Sequence, residues 1–234
     1  MIKTKALRIS LLSLCLGTSL LTGLSQLSTS ASADTNERFG FIDWLLGRGG
    51  TRSSRKPPGA EDPPAGSRGE ICMIAPELGP DEQLVWHERP TFISKGRIGG
   101  LAIFEFNGER PLWTSPAGEG LNAVRYEGPV LRPGNRYLLK VYSPDFPDSA
   151  VYSIDFSVVT MEEQQAVAAD LESLELSAIT NHQTVEGLIE ERVDYFWQQG
   201  YEMDAWREVT TLATVSSNIS EALEGAYEEL CQND

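Results

Sequence analysis

The hydrophobic period of this chain changes once, at Thr160, and the change divides the fold into two kinds of structure. From Ser67 to Val159, short runs rich in Val, Ile, Phe, Tyr and Trp are separated by Gly, Pro, Asn and Asp, the signature of strands and tight turns. Beyond Thr160 the apolar residues recur every three or four positions, the signature of helices with one buried face.

Strands are expected at 72–74, 84–86, 91–94, 101–106, 112–114, 123–126, 137–142 and 151–158. In the last of these Tyr152, Ile154, Phe156 and Val158 alternate with Val151, Ser153, Asp155 and Ser157. Only the first set is strongly apolar, so one face is buried and the other wet. Around eight short strands at this spacing predict an antiparallel β-sandwich over residues 67–160.

The helical part, 161–234, opens with Thr160 and Glu163 at capping-box spacing. Val167, Leu171, Leu174 and Ala178 line a first helix, and Val185, Leu188, Ile189, Val193 and Phe196 a second that ends at Gly200. A third carries Ala205, Trp206, Val209 and Leu212, and a fourth Ile219, Leu223, Tyr227 and Leu230. Short links between them predict antiparallel neighbours packed on the sandwich, giving an α+β protein that is mainly β.

The first residues carry a different message. Lys3, Lys5 and Arg8 precede an apolar stretch from Ile9 to Leu16, and Ala31-Ser32-Ala33 supplies a small-x-small pattern before Asp34. This predicts a signal peptide at 1–33, export, and a periplasmic or secreted product. Ser13, Gly17, Thr18 and Ser19 interrupt the stretch too early for a membrane anchor, and no transmembrane segment is expected after the signal is removed. Residues 34–66 contain Gly49-Gly50, Pro57-Pro58-Gly59 and Pro63-Pro64 and read as a flexible linker. One short apolar segment, 39–46, interrupts it with Phe39, Phe41, Ile42, Trp44, Leu45 and Leu46. Docking onto its own domain is the favoured reading, with a membrane-surface or partner contact as the alternative.

Export leaves Cys72 and Cys231, which in an oxidising compartment read as a disulfide; independent free thiols are the alternative. A zinc site is not expected, since His87 and His182 are the two histidines of the chain. Charge narrows the partners. Residues 34–160 carry 17 acids and 14 bases, whereas 161–234 carry 17 acids against Arg192 and Arg207. Such a segment repels phosphate backbones, which excludes nucleic acid, and favours a basic partner.

Leu131-Arg132-Pro133-Gly134-Asn135-Arg136-Tyr137-Leu138-Leu139-Lys140-Val141 resembles the turn into the penultimate strand of fibronectin type III and related immunoglobulin-like domains. In those domains a buried Tyr returns its hydroxyl to the backbone at the corner. The resemblance implies structural roles for Pro133, Gly134 and Tyr137.

Chemistry-bearing patterns are sparse. Neither histidine adjoins a recognisable nucleophile turn, and phosphate-cradling loops are absent, so neither catalytic residues nor a cofactor is expected. His87 reads as a sheet histidine between Trp86 and Glu88. Asp145 and Asp148 lack the full ligand set of a calcium loop, and no metal is assigned. Trp86, His87, Trp113 and Tyr126 are the candidate ligand contacts, and three of them could form an aromatic platform for sugar rings. Core packing is the plainer reading of those rings.

Taken in order, Arg68-Gly69-Glu70-Ile71-Cys72-Met73-Ile74-Ala75-Pro76, Val85-Trp86-His87-Glu88-Arg89-Pro90-Thr91-Phe92, Leu112-Trp113, Tyr126-Glu127-Gly128, the Leu131 to Tyr137 turn and late Cys231 resemble domain-of-unknown-function family 928. That family is found mainly in exported cyanobacterial proteins. His87 and Ile93-Ser94 stand here where its members often carry a Ser-rich or aromatic-rich strand. The resemblance implies architecture and compartment and attaches no activity. The sequence therefore predicts a non-catalytic, exported interaction module for an envelope protein partner. Envelope carbohydrate binding is the alternative, and a hydrolase using Glu88 or His87 is a more remote one.

Overall fold

The computed structural model of the chain describes residues 40–48, 71–78 and 82–231. The expected signal peptide, most of the expected linker and the Arg68-Gly69-Glu70 part of the family motif lie outside the described residues.

Among the described residues eight strands form two sheets. β1 (Ile71–Ala75), β3 (Thr91–Gly96) and β6 (Leu121–Arg125) make an antiparallel sheet in the order β1-β3-β6. β2 (Gln83–Val85), β4 (Gly100–Glu105), β5 (Pro111–Thr114), β7 (Arg136–Ser143) and β8 (Phe146–Val158) make the other, in the order β2-β8-β7-β4-β5. One pairing departs from the all-antiparallel expectation: β2 runs parallel to β8, with Val85 opposite Val158. The two strands are remote in sequence, so no hairpin forces them to oppose each other.

Side-chain alternation then builds the core. Ile154, Phe156 and Val158 of β8 are buried, while Asp155 and Ser157 between them are half-exposed. They share one apolar cluster with Leu139 and Val141 of β7 and with Ile71, Met73 and Phe92 of the three-stranded sheet. At the turn before β7, Gly134 has φ +75°, a conformation that Gly adopts without a Cβ penalty. Tyr137 is 2% exposed, and its hydroxyl accepts a hydrogen bond from the Arg132 N–H at 2.7 Å.

Four long helices follow: α2 (Met161–Thr180), α3 (Val185–Gln198), α4 (Glu202–Ala213) and α5 (Ser217–Cys231). Thr160 and Glu163 cap α2 reciprocally, and Thr184 caps α3 through the Gly187 N–H. The Thr160 hydrogen bonds hold the Glu163 carboxyl below its ordinary range. α4 belongs to both cores. Its Met203 lies in the sheet cluster, whereas Ala205, Trp206, Val209 and Leu212 join a helical cluster that also takes in Ile74, Ala75 and Ile93 of the sheet. Among the described residues no helix is long and apolar enough to cross a membrane.

The short apolar segment folds as α1 (Phe41–Leu45), with Phe41, Ile42, Trp44 and Leu45 buried in the helical cluster. Phe41 sits 4.6 Å from the Trp197 ring and 4.9 Å from Trp206. A five-residue helix is not stable alone, so docking forms it. Burying four such side chains contributes about 6–12 kcal/mol. Fixing five backbone residues costs about 5–10 kcal/mol. The segment is held with little to spare.

Cys72 of β1 and Cys231 at the end of α5 are bonded, with Cα atoms 5.7 Å apart and a sequence separation of 159. In the chain-entropy account a loop of that length stabilises by about 5 kcal/mol. Denatured residues 34–234, which exclude Cys15, are expected to show thiols only after reduction. Replacing both cysteines by Ala is expected to lower the unfolding free energy by about 2–5 kcal/mol in a denaturant titration; labelling without reductant, or an unchanged midpoint, contradicts this.

Candidate functional site

The most concentrated polar arrangement among the described residues lies where the link between β2 and β3 meets the first turn of α4. Asp204 is 1% exposed. An acid in the first turn of a helix is favoured there by the helix dipole, and commonly serves its own N–H groups. This one reaches outward. Its carboxylate accepts from the Trp86 N–H at 2.6 Å, the His87 N–H at 3.2 Å and His87 Nδ1 at 2.5 Å.

These bonds correct the expectation for His87. It is not a sheet residue: β2 ends at Val85, and the N–H groups of residues 86 and 87 go to a helix carboxylate instead of a neighbouring strand. The rest of the link is also tied to other elements, with Glu88 O accepting from Leu131 N–H and Pro90 O from Tyr126 N–H.

A chain of charges extends from the far side of the imidazole. Arg207, one turn after Asp204, places Nη1 against His87 Nε2. It also pairs with Glu208 at 3.6 Å. Glu208, 6% exposed, receives Arg192 through two bonds of 3.2 and 3.1 Å, and Arg192 reaches Glu175 at 3.1 Å. Burial pushes the Arg207 guanidinium below its ordinary value, opposed by Glu208 and Asp204. Both arginines of the acidic segment thus pair with the buried Glu208 carboxylate.

The arrangement determines what His87 can do. Nδ1 lies against the Asp204 carboxylate and Nε2 against Arg207 Nη1, so both ring nitrogens are occupied by side chains of the protein itself. An acid does converge on the histidine, as a base–orienter pair would require, but Arg207 occupies the ring nitrogen that would face a nucleophile. The constellation is a structural latch.

Trp86 belongs to the same latch. Its Nε1 donates to Gln164 O at 3.2 Å, the Gln164 side chain returns to Trp86 O at 3.1 Å, and the ring lies 5.6 Å from Phe196. Trp113 is elsewhere, on β5, with its ring tilted 72° to Tyr126 at 5.3 Å. Tyr126 is fully buried, its hydroxyl has no hydrogen-bond partner, and burial raises its pKa to about 12. Gly128 lets that phenol approach, since a Cβ there would lie 2.5 Å from its oxygen. The three rings share no face, so they make no platform for a sugar. No group of three or more His, Cys, Asp or Glu suited to a metal ion occurs among the described residues.

Asp204 and Glu208 are the residues that sequence reasoning passed over. The available signal was the scarcity of bases: two arginines amid 17 acids, one of them between Asp204 and Glu208. The sequence matches no protein-family profile and no curated protein.

Replacing Asp204 by Ala strands three donors and is expected to destabilise by about 3–5 kcal/mol, with Asp204→Asn losing less because one acceptor oxygen remains. Denaturant midpoints of the disulfide-bonded proteins measure this. A loss below about 1 kcal/mol for Asp204→Ala contradicts the latch.

Proposed function

We propose that this chain is an exported, non-catalytic interaction module for an envelope protein, and a member of domain-of-unknown-function family 928. Its two sheets, in the orders β1-β3-β6 and β2-β8-β7-β4-β5, are read as an immunoglobulin-like sandwich. The Tyr137 corner and the shared apolar cluster support that reading. The engagement of both His87 ring nitrogens by Asp204 and Arg207 argues against the hydrolase, and the unaligned rings argue against the sugar platform.

The observation that carries the proposal is an apolar tip on an acidic body. Leu176, Ile179 and Val185 are 59%, 72% and 72% exposed where α2 turns into α3. Leu176 and Ile179 share one helix face, and Val185 opens the next helix. Exposed Glu172, Glu175 and Glu186 stand beside them in sequence. Exposed apolar groups rimmed by charge mark protein contacts, and this rim selects a basic surface.

The test is capture of proteins from native envelope and external fractions on tagged residues 34–234, compared with an Ile179→Glu/Val185→Glu variant. The proposal expects a reproducible protein partner whose recovery falls about tenfold or more on the variant, since hot-spot losses exceed 1.4 kcal/mol. Equal recovery on both, or none above a control, contradicts it.

A further inference from the structure

The groove that holds α1 is built and anchored without α1. Its walls are α3, α5 and Trp206 of α4. Those helices are tied to the sheets by the Asp204 bonds and by Cys72–Cys231, not by the segment that lies in the groove. Residues 49–70 join the segment to Ile71, where the described chain resumes. An apolar slot with independent walls, filled by a short helix on a long connection, is the arrangement by which proteins receive helical peptides.

We propose that this groove is a peptide-binding site, occupied in cis by residues 40–48 and able to take instead a segment of another protein. That segment carries the same aromatic and aliphatic turn, flanked by basic residues. The contacts of the resident define the first requirement. Phe41 enters between Trp197 and Trp206, and Ile42, Trp44 and Leu45 are buried beside it. Asp194 of α3 accepts the Ile42 N–H at 3.3 Å, and a Cβ on Gly40 would collide with that carboxylate, so the site reads the start of the incoming turn as well as its side chains.

Charge defines the second requirement. Glu190 and Asp194 on α3 lie near Asp43 of the resident segment, and Glu186 lies near Glu190. Burial raises the Glu190 and Asp194 carboxyls, and the other acids raise them further. Among the described residues Arg48 is the cation that counters both, and it is also engaged by Asp43 at 3.5 Å. The resident thus brings one more acid to a rim already rich in acids. A competitor with a base in place of Asp43 fits better. Because burial and ordering nearly cancel for the resident, exchange is within reach of such a competitor.

The probe is a fluorescent synthetic peptide of residues 38–48, titrated into the disulfide-bonded chain, residues 34–234, as wild type and as Phe41→Ala/Trp44→Ala. Removing the cis competitor is expected to tighten binding at least about tenfold, because a tethered segment competes at high effective concentration. A second peptide carrying Asp43→Arg is expected to bind the variant several-fold tighter than the first. Absence of binding by a variant with native circular dichroism, or affinity equal to wild type, overturns the site, and weaker binding of the Asp43→Arg peptide overturns its basic preference. If the variant does not fold, wild type is cut at a protease site inserted among residues 57–60. Replacement of the released fragment by labelled peptide supports exchange; a fragment that stays bound against excess peptide overturns it.

Discussion

A single buried carboxylate joins the two halves of this protein. Asp204 lies at the start of a helix and satisfies two main-chain N–H groups and an imidazole that belong to the strand region. Without it the link after β2 has donors facing a protein interior, where an unmade hydrogen bond is costly. With it, α4 is pinned against the sheets, and the apolar residues on either side of Asp204 fall into place: Met203 into the sheet core, and Ala205 and Trp206 into the helical one. Arg207 and Glu208 extend the same arrangement outward to Arg192 and Glu175, so that one short helix positions charges from α2 and α3 too.

The disulfide closes the structure at a different point. It ties the first strand of the three-stranded sheet to the last residue of α5. Between these two attachments the helices form a frame, and α1 occupies that frame as a separate, weakly committed piece. Acidity of the helical surface and the apolar tip at the α2–α3 turn then face outward. Both features suit the basic partner proposed for it, whereas the buried charges serve the fold.

Much of the architecture could be read from periodicity. The β8 alternation of Ile154, Phe156 and Val158 with polar neighbours, the Thr160–Glu163 cap and the spacing of Val167 and Leu171 are local signals, and local signals survive into the structure when packing agrees with them. His87 shows where they stop. Val85 and Trp86 look like strand residues, yet the chain leaves the sheet after Val85 because a carboxylate 118 positions away from Trp86 accepts its N–H. No periodicity encodes such a partner. The parallel pairing of β2 with β8 is likewise a long-range choice. The rings of Trp86, Trp113 and Tyr126 could be recognised as apolar from the sequence, but their distribution between two cores is a consequence of tertiary packing.

Sheets and helices are held as one cooperative body through the Asp204 contact. Native-state hydrogen exchange of the oxidised protein tests it directly, with resolution at single amides around residues 84–88. The N–H groups of Trp86 and His87 are expected to exchange as slowly as the core amides of β7 and α4, all through one global opening. Fast exchange at residues 86 and 87 while β7 remains protected, or separate openings for strands and helices, would contradict it.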